Sequence, residues 1–300
     1  MDEELPGRSS VKEVLVGGRR HRVLNVDASE SRACAALWAT GQFTDLHIGS
    51  VENPHLETVE CLNDFKDVTR LHIMLRGVKV DLSPVRHHAH TLVRYHCNDE
   101  TNPLLDCRGF DALESLSQPW HPKTVFGPCA ALRELFLDRY SSPTKDLHQL
   151  PDAPQLRRLG LMRPGIVKLA LLARWPHLES VMIGQARQLA SVKDLAACAA
   201  LKELEVDGGK HIADLSETLP HLAALERLVL QHCPALDNVF FVGKMPHLQW
   251  LNLMGTPVVD GNLTPLLEHP ALAYAVFTRQ KHFSHSESEV RQHLQHRKKS

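Results

Sequence analysis

LKELEV at residues 201–206, LERLVL at 225–230 and LQWLNL at 248–253 are one pattern written three times. Apolar residues stand at positions 1, 4 and 6 of each: Leu201, Leu204 and Val206; Leu225, Leu228 and Leu230; Leu248, Leu251 and Leu253. The units start 24 and then 23 residues apart. Self-similarity at such a period marks a repeat architecture in which each unit is one supersecondary element. Positions 4 and 6 alternate with variable residues, the pattern of a strand buried on one face. One such strand cannot bury its apolar side alone, whereas stacked units pack each leucine row on the next.

Extended outward, the register places unit starts at Phe43, Val68, Ala89, Leu113, Leu132, Leu156, Leu178, Leu201, Leu225, Leu248 and Leu272. Eight of these eleven units are apolar at all three positions, so the pattern is sustained rather than incidental. The exceptions start at Ala89 (Arg94 at position 6), Leu113 (Gln118 at position 6) and Leu272 (Ala275 at position 4). The run resembles the leucine-rich repeat family, in its short, bacterial-type single-domain class. The resemblance implies an α/β fold: a leucine-rich repeat solenoid, curved as a right-handed horseshoe, with a parallel β-sheet on the concave face. Short helices or turns would line the convex face. Residues 166–175, 189–198, 215–219 and 263–267, with apolar residues three or four apart, suit those turns. The asparagine frequent at position 9 of the family is absent. Pro164, Ala186, Gly209, Cys233 and Thr256 stand there, so the backbone bonding it supplies must come from elsewhere.

Solenoids need atypical ends, because a terminal repeat exposes its core. Residues 1–41 read as an N-terminal cap, about eleven repeats fill 42–279, and 280–300 form a C-terminal capping helix and tail. In the first cap, strands at 11–16 and 22–26 flank Gly17-Gly18 and a basic loop of Arg19, Arg20 and His21. Asp27 and Glu30 have the spacing of a capping box, and so do Ser286 and Glu289 at the other end. The basic Arg297-Lys298-Lys299 suits a helix C-terminus. The segment 85–120 is the least regular; there a one-residue shift would turn Val93 and Tyr95 inward instead of Arg94.

Composition narrows the function. A net charge of −1 and a pI near 7.1 leave no basic footprint for nucleic acid. No apolar run is long enough to span a membrane, and residues 1–10 have no signal-peptide core. Seven widely spaced cysteines without a Cys-x-x-Cys read as reduced, buried thiols of a cytoplasmic protein. No nucleophile motif, phosphate loop or His-Glu-x-x-His occurs, so neither an enzyme nor a cofactor is expected. The Cys-x-Asp letters of bacterial leucine-rich repeat ubiquitin ligases recur at Cys97-Asn98-Asp99, but within the repeats and without a catalytic domain. His87, His88 and His90, with His96 and Cys97 nearby, lack the paired spacing of a zinc site.

What remains is a surface. The resemblance puts positions 3, 5 and 7 on the concave face. His47 and His72 share position 5 of consecutive units, a ladder with a pH-sensitive or anion-binding use. One rung is wholly acidic: Glu203, Glu205 and Asp207. Arg227, Trp250, Asn252 and Tyr274 follow on the next rungs, and Phe136 and Arg158 precede. Arginine and large aromatics are enriched at binding hot spots. The reading is a monomeric scaffold gripping a protein partner of unknown identity on this face, as an immunity or adaptor protein does. A metal protein or enzyme using the histidine-rich segment 85–120 is the alternative.

Overall fold

The computed structural model describes residues 9–16, 18–49, 58–74, 80–98, 101 and 103–297. The chain forms two compact units, Met1–Leu137 with Pro151–Ala153, and Asp138–Leu150 with Pro154–Ser300.

The first unit opens with an antiparallel hairpin of β1 (Ser10–Val16) and β2 (Arg19–Val26), Val16 facing Arg19. The turn is therefore only two residues long. Gly18 sits at φ 77°, a conformation glycine takes without a Cβ penalty; Gly17 lies outside the described residues. The expected basic loop is corrected here: Arg19, Arg20 and His21 are strand residues, because so tight a turn leaves none over. Helix α1 (Ser31–Trp38) follows a 3-10 turn whose cap, Asp27, accepts from the Ser29 N–H at 3.0 Å. Here too the expected box does not close. The Glu30 carboxylate instead accepts from the N–H and hydroxyl of Ser9, at 3.1 and 2.7 Å, and so ties the start of β1 to the helix.

Next come β3 (Asp45–Ile48), β4 (Arg70–Met74), β5 (Arg94–Asn98), β6 (Asp106–Cys107), β7 (Ser115–Pro119), β8 (Val125–Phe126) and β9 (Glu134–Asp138). The unit's main sheet runs β1-β2-β3-β4-β5-β7-β9, while β6 pairs β8 in a two-stranded sheet. From β2 to β7 each pair is parallel. One register differs from expectation. Leu71 pairs with Tyr95 and Ile73 with Cys97, so this unit begins at Leu92, three residues later than Ala89. Leu92, Tyr95 and Cys97 are buried, and Arg94 stands on the opposite face. The shift is three residues and not one: Val93 does not turn inward. Burial of a large ring satisfies the column, whereas a guanidinium there would cost several kcal/mol, on the order of any buried unpaired ion.

Gln118 does occupy the core column of β7. It is 3% exposed, and neither amide atom has a hydrogen-bond partner among the described residues. A buried unpaired amide costs about 1–3 kcal/mol. Gln118→Leu is therefore expected to raise stability by about 1 kcal/mol in chemical denaturation. A loss of stability would instead mean that the amide is satisfied.

The second unit is the regular one. Strands β10 (Arg158–Met162), β11 (Ser180–Gly184), β12 (Glu203–Asp207), β13 (Arg227–Gln231), β14 (Trp250–Leu253) and β15 (Tyr274–Phe277) lie in chain order, each pair parallel. Leu204, Leu228 and Leu251 are in register and at most 1% exposed, as the repeat requires. Short 3-10 turns at Leu172–Arg174 and Lys193–Ala197, with α2 (Leu215–Thr218) and α3 (Thr264–Glu268), occupy the segments read as helical, and a further 3-10 turn forms at Phe240–Lys244. This is an α/β repeat solenoid built on parallel strands.

The backbone bonding left open by the missing asparagines has two sources. First, position 8 adopts a left-handed conformation whatever residue it holds: Arg163 at φ 51°, Gln185 at 52°, Gly208 at 72°, His232 at 50°. That turn aims amides at the next rung. The Arg163 N–H donates to Gly184 O at 2.8 Å, Gly208 to Gln231 O at 2.9 Å, and His232 to Met254 O at 3.0 Å. Second, Thr256 does at position 9 what a side-chain amide would. Its hydroxyl accepts from the Cys233 N–H at 3.0 Å and donates to Leu230 O at 2.8 Å.

The unit ends in α4 (Glu287–Arg297), with Val290 and Leu294 buried. Here the box forms: the Ser286 N–H donates to the Glu289 carboxylate at 2.6 Å, and the Glu289 N–H donates to Ser286 Oγ at 3.3 Å. Arg297 donates to the carbonyls of Leu267, His269 and Pro270. Lys298 and Lys299 lie outside the described residues.

Candidate functional site

In each unit the residues between the buried columns form an open strand face, and two patches stand out on it. The patch on the second unit gathers seven of the nine residues read from the sequence. Glu203 pairs in register with Arg227, Arg227 with Trp250, and Trp250 with Tyr274; Glu205 sits beside Val229, and Val229 beside Asn252. The rings of Trp250 and Tyr274 stack with centroids 3.9 Å apart and 20° between planes. The Arg227 guanidinium lies 5.4 Å from the Trp250 centroid. Trp250 keeps 39% of its surface exposed, so the C-terminal helix leaves it open. A stacked aromatic pair with a cation over it is a rigid, apolar platform with a charged edge.

The acidic rung is only partly neutralised. The ion pair of Arg227 runs diagonally to Glu205, at 3.6 Å, and not straight across to Glu203. Asp207 meets His232 Nδ1 at 3.0 Å. Glu203 has no ion pair among the described residues, and it is exposed. Val229, in the same open-face row, is 2% exposed and not reachable by a partner. Arg158 belongs to this unit, exposed on β10, with β11 between it and the acidic rung. Phe136 belongs to the first unit, half-buried on β9.

The patch on the first unit is larger than the sequence implied. His47 and His72 are in register, as the ladder requires, and the corrected register adds His96. Ring centroids are 4.6 Å apart for His47 and His72 and 4.4 Å for His72 and His96, both edge-to-face. Burial, then repulsion from its two neighbours, pushes His72 down to about 3; burial also lowers His47 and His96. His96 and Arg94 were missed because the unit was started at Ala89. Reading Leu92-x-x-Tyr95-x-Cys97 would have placed His96 at position 5, beside the other two.

The ladder has a consequence for stability. In the unfolded chain each histidine binds a proton near pH 6.5, while folded His72 stays neutral down to about 3. Below 6.5 the unfolded state thus holds more protons. The ladder's contribution is complete above that pH and is lost as pH falls from there towards 3. The urea midpoint of the wild type should therefore drop more between neutral and acid pH than that of a variant carrying His47→Gln, His72→Gln and His96→Gln. Parallel profiles for the two would refute this.

The histidine-rich segment does not converge into a centre. His88 is buried and contacts Leu62 O at 3.2 Å, His90 is exposed, His96 is on the open face and Cys97 is in the core. Among the described residues no group of three or more His, Cys, Asp or Glu is arranged to hold a metal ion. Cys97, 3% exposed, is out of reach of any substrate, and Asp99 lies outside the described residues. Nor is any helix among the described residues long and apolar enough to cross a membrane.

No protein-family model and no curated protein matches the chain. Among solved structures it is similar to an internalin from Listeria monocytogenes, at 14% identity and a TM-score of 0.46, over 79% of this chain and 68% of that one. The second unit itself has the repeat geometry: in-register leucine columns, parallel strands in chain order, a left-handed residue closing the strand and short turns between rungs. The fold is that of a leucine-rich repeat solenoid.

Proposed function

We propose that the protein is a non-enzymatic scaffold that binds another protein through the open strand face of its second unit. The observation that carries this reading is the exposed Trp250 stacked on half-buried Tyr274, capped by Arg227 and bordered by the acidic rung. Large aromatics are usually covered in a finished monomer; one held rigid and open beside unbalanced charge has the make-up of a binding anchor. Glu203, Glu205 and Asp207 face a partner's basic residues, Arg227, Trp250, Asn252 and Tyr274 form the central contact, and Arg158 extends it. Residues 1–41 and 280–300 act as caps on the repeats at 42–279. A role as a cytoplasmic immunity or adaptor protein, working as a monomer, is the concrete version of this proposal.

Recovery of partners from the native host with wild-type protein and with folded Trp250→Ala and Glu205→Lys variants tests it. A partner retained by the wild type and lost by both variants is the expected result. With that partner in hand, Glu205→Lys should slow association and flatten its salt dependence, since a steering charge is reversed. Unchanged association rates across salt concentrations would move the site elsewhere.

A further inference from the structure

The charged groups around the histidine ladder are arranged in a row. Arg70 and Arg94 are Cα partners on adjacent strands, both on the open face. Like charges directly opposite each other on a sheet cost stability unless something lies between or beside them. Each has one acidic neighbour, on its outer side: Asp45 at 3.8 Å from Arg70, and Glu134 at 3.7 Å from Arg94. Both separations exceed a hydrogen bond. Asp45 is also shared with His21 Nδ1, at 2.8 Å. Between the two arginines there is no acid on the described strands. Among the described residues the middle of the patch is thus two guanidinium groups and three neutral imidazoles, with acids only at its ends.

We propose that the ladder of His47, His72 and His96, together with Arg70 and Arg94, is a second docking patch that takes an extended acidic peptide segment and binds protons as it does so. The charge complementarity is specific to the centre of the row, where the arginines stand side by side. The three rungs span about 10 Å, two inter-strand steps. A run of acidic side chains can follow that length, whereas a single small anion meets one step of it. The proton coupling follows from the same geometry. Free, the rings are kept neutral by burial and by one another. A carboxylate seated over them supplies the opposite charge that favours the imidazolium form.

The groups that act on the ladder are few. Lys12 on β1 opposes and Asp45 on β3 favours protonation of His47. Arg70 and Arg94 flank His72 and His96 on their own strands. On β7 the in-register neighbours are Ser115 and Ser117, which do not titrate, and Glu134 follows on β9. Among the described residues the ladder therefore has few carboxylates of its own, and a ligand's would dominate. The patch is independent of the Trp250 surface, which lies in the other unit.

A hexaglutamate peptide is the probe. Calorimetric titration at low salt should show binding at least about tenfold tighter near pH 5.5 than near pH 7.5, with net proton uptake. Histidine ring resonances of the ladder should titrate at higher pH with the peptide than without it. His72→Gln should reduce the pH dependence and Arg94→Ala should weaken binding, both with unchanged circular dichroism. His90→Gln, on an exposed histidine away from the ladder, and Trp250→Ala should bind as the wild type does. Binding that is absent at both pH values, or unaltered by His72→Gln and Arg94→Ala, overturns the proposal. So does displacement of the peptide by equimolar inorganic phosphate, which would make this a small-anion site.

Discussion

Leu228→Ala is expected to cost about 2–5 kcal/mol of folding stability, as buried leucine truncations do. Leu228 is fully buried on β13, at position 4 of its repeat unit, between Leu204 on β12 and Leu251 on β14. Truncation removes the transfer energy of its methyl groups and leaves a cavity between two rungs that cannot both collapse onto it. In a solenoid each unit is held by its own core and by its two neighbours, so a hole in one rung weakens two interfaces. Chemical denaturation of the variant checks this, followed through the transition of the second unit. Arg227→Ala, one residue away on the open face, is the comparison; it gives up a surface ion pair worth about 0–1 kcal/mol. A loss below about 0.5 kcal/mol for Leu228→Ala would mean that the column is misassigned.

Trp250→Ala is expected to speed dissociation of the protein partner by roughly 30-fold or more, the equivalent of about 2 kcal/mol. The reasoning starts from rigidity. Trp250 is stacked on Tyr274 and flanked by Arg227, so its position is set before a partner arrives and little side-chain entropy remains to be lost on binding. Truncation removes the apolar centre of the patch but touches no buried column, so folding should change little. Losses at such anchors fall mainly on the dissociation rate, whereas reversal of Glu205 acts on association. Surface plasmon resonance with the two variants separates these effects. Equal dissociation rates for the wild type and Trp250→Ala would place the anchor elsewhere.

The repeat, its leucine columns and the C-terminal capping box were legible in the sequence because each rests on local geometry. Side chains alternate across a strand, so Leu204 and Val206 must share a face wherever the strand lies. Ser286 and Glu289 meet because three residues on a helix start bring them together. Asp27 and Glu30 have the same spacing, but there the Glu30 N–H donates to the Asp27 carbonyl and the Glu30 carboxylate takes the N–H and hydroxyl of Ser9, far off in sequence. That choice belongs to tertiary structure.

The register near residue 92 is of the same kind. Letters alone allowed starts three residues apart, and pairing with β4 selected Leu92, since it buries Tyr95 and frees Arg94. The histidine ladder followed from that selection: two of its members were visible at one repeat position, and the third became so only with the strand in place. The diagonal ion pair of Arg227 with Glu205 and the burial of Val229 depend on where long side chains lie across neighbouring rungs. Period and polarity are properties of one strand and can be read from it. Which charge meets which, and which open-face residue is covered, are properties of several strands at once, and only the assembled sheet decides them.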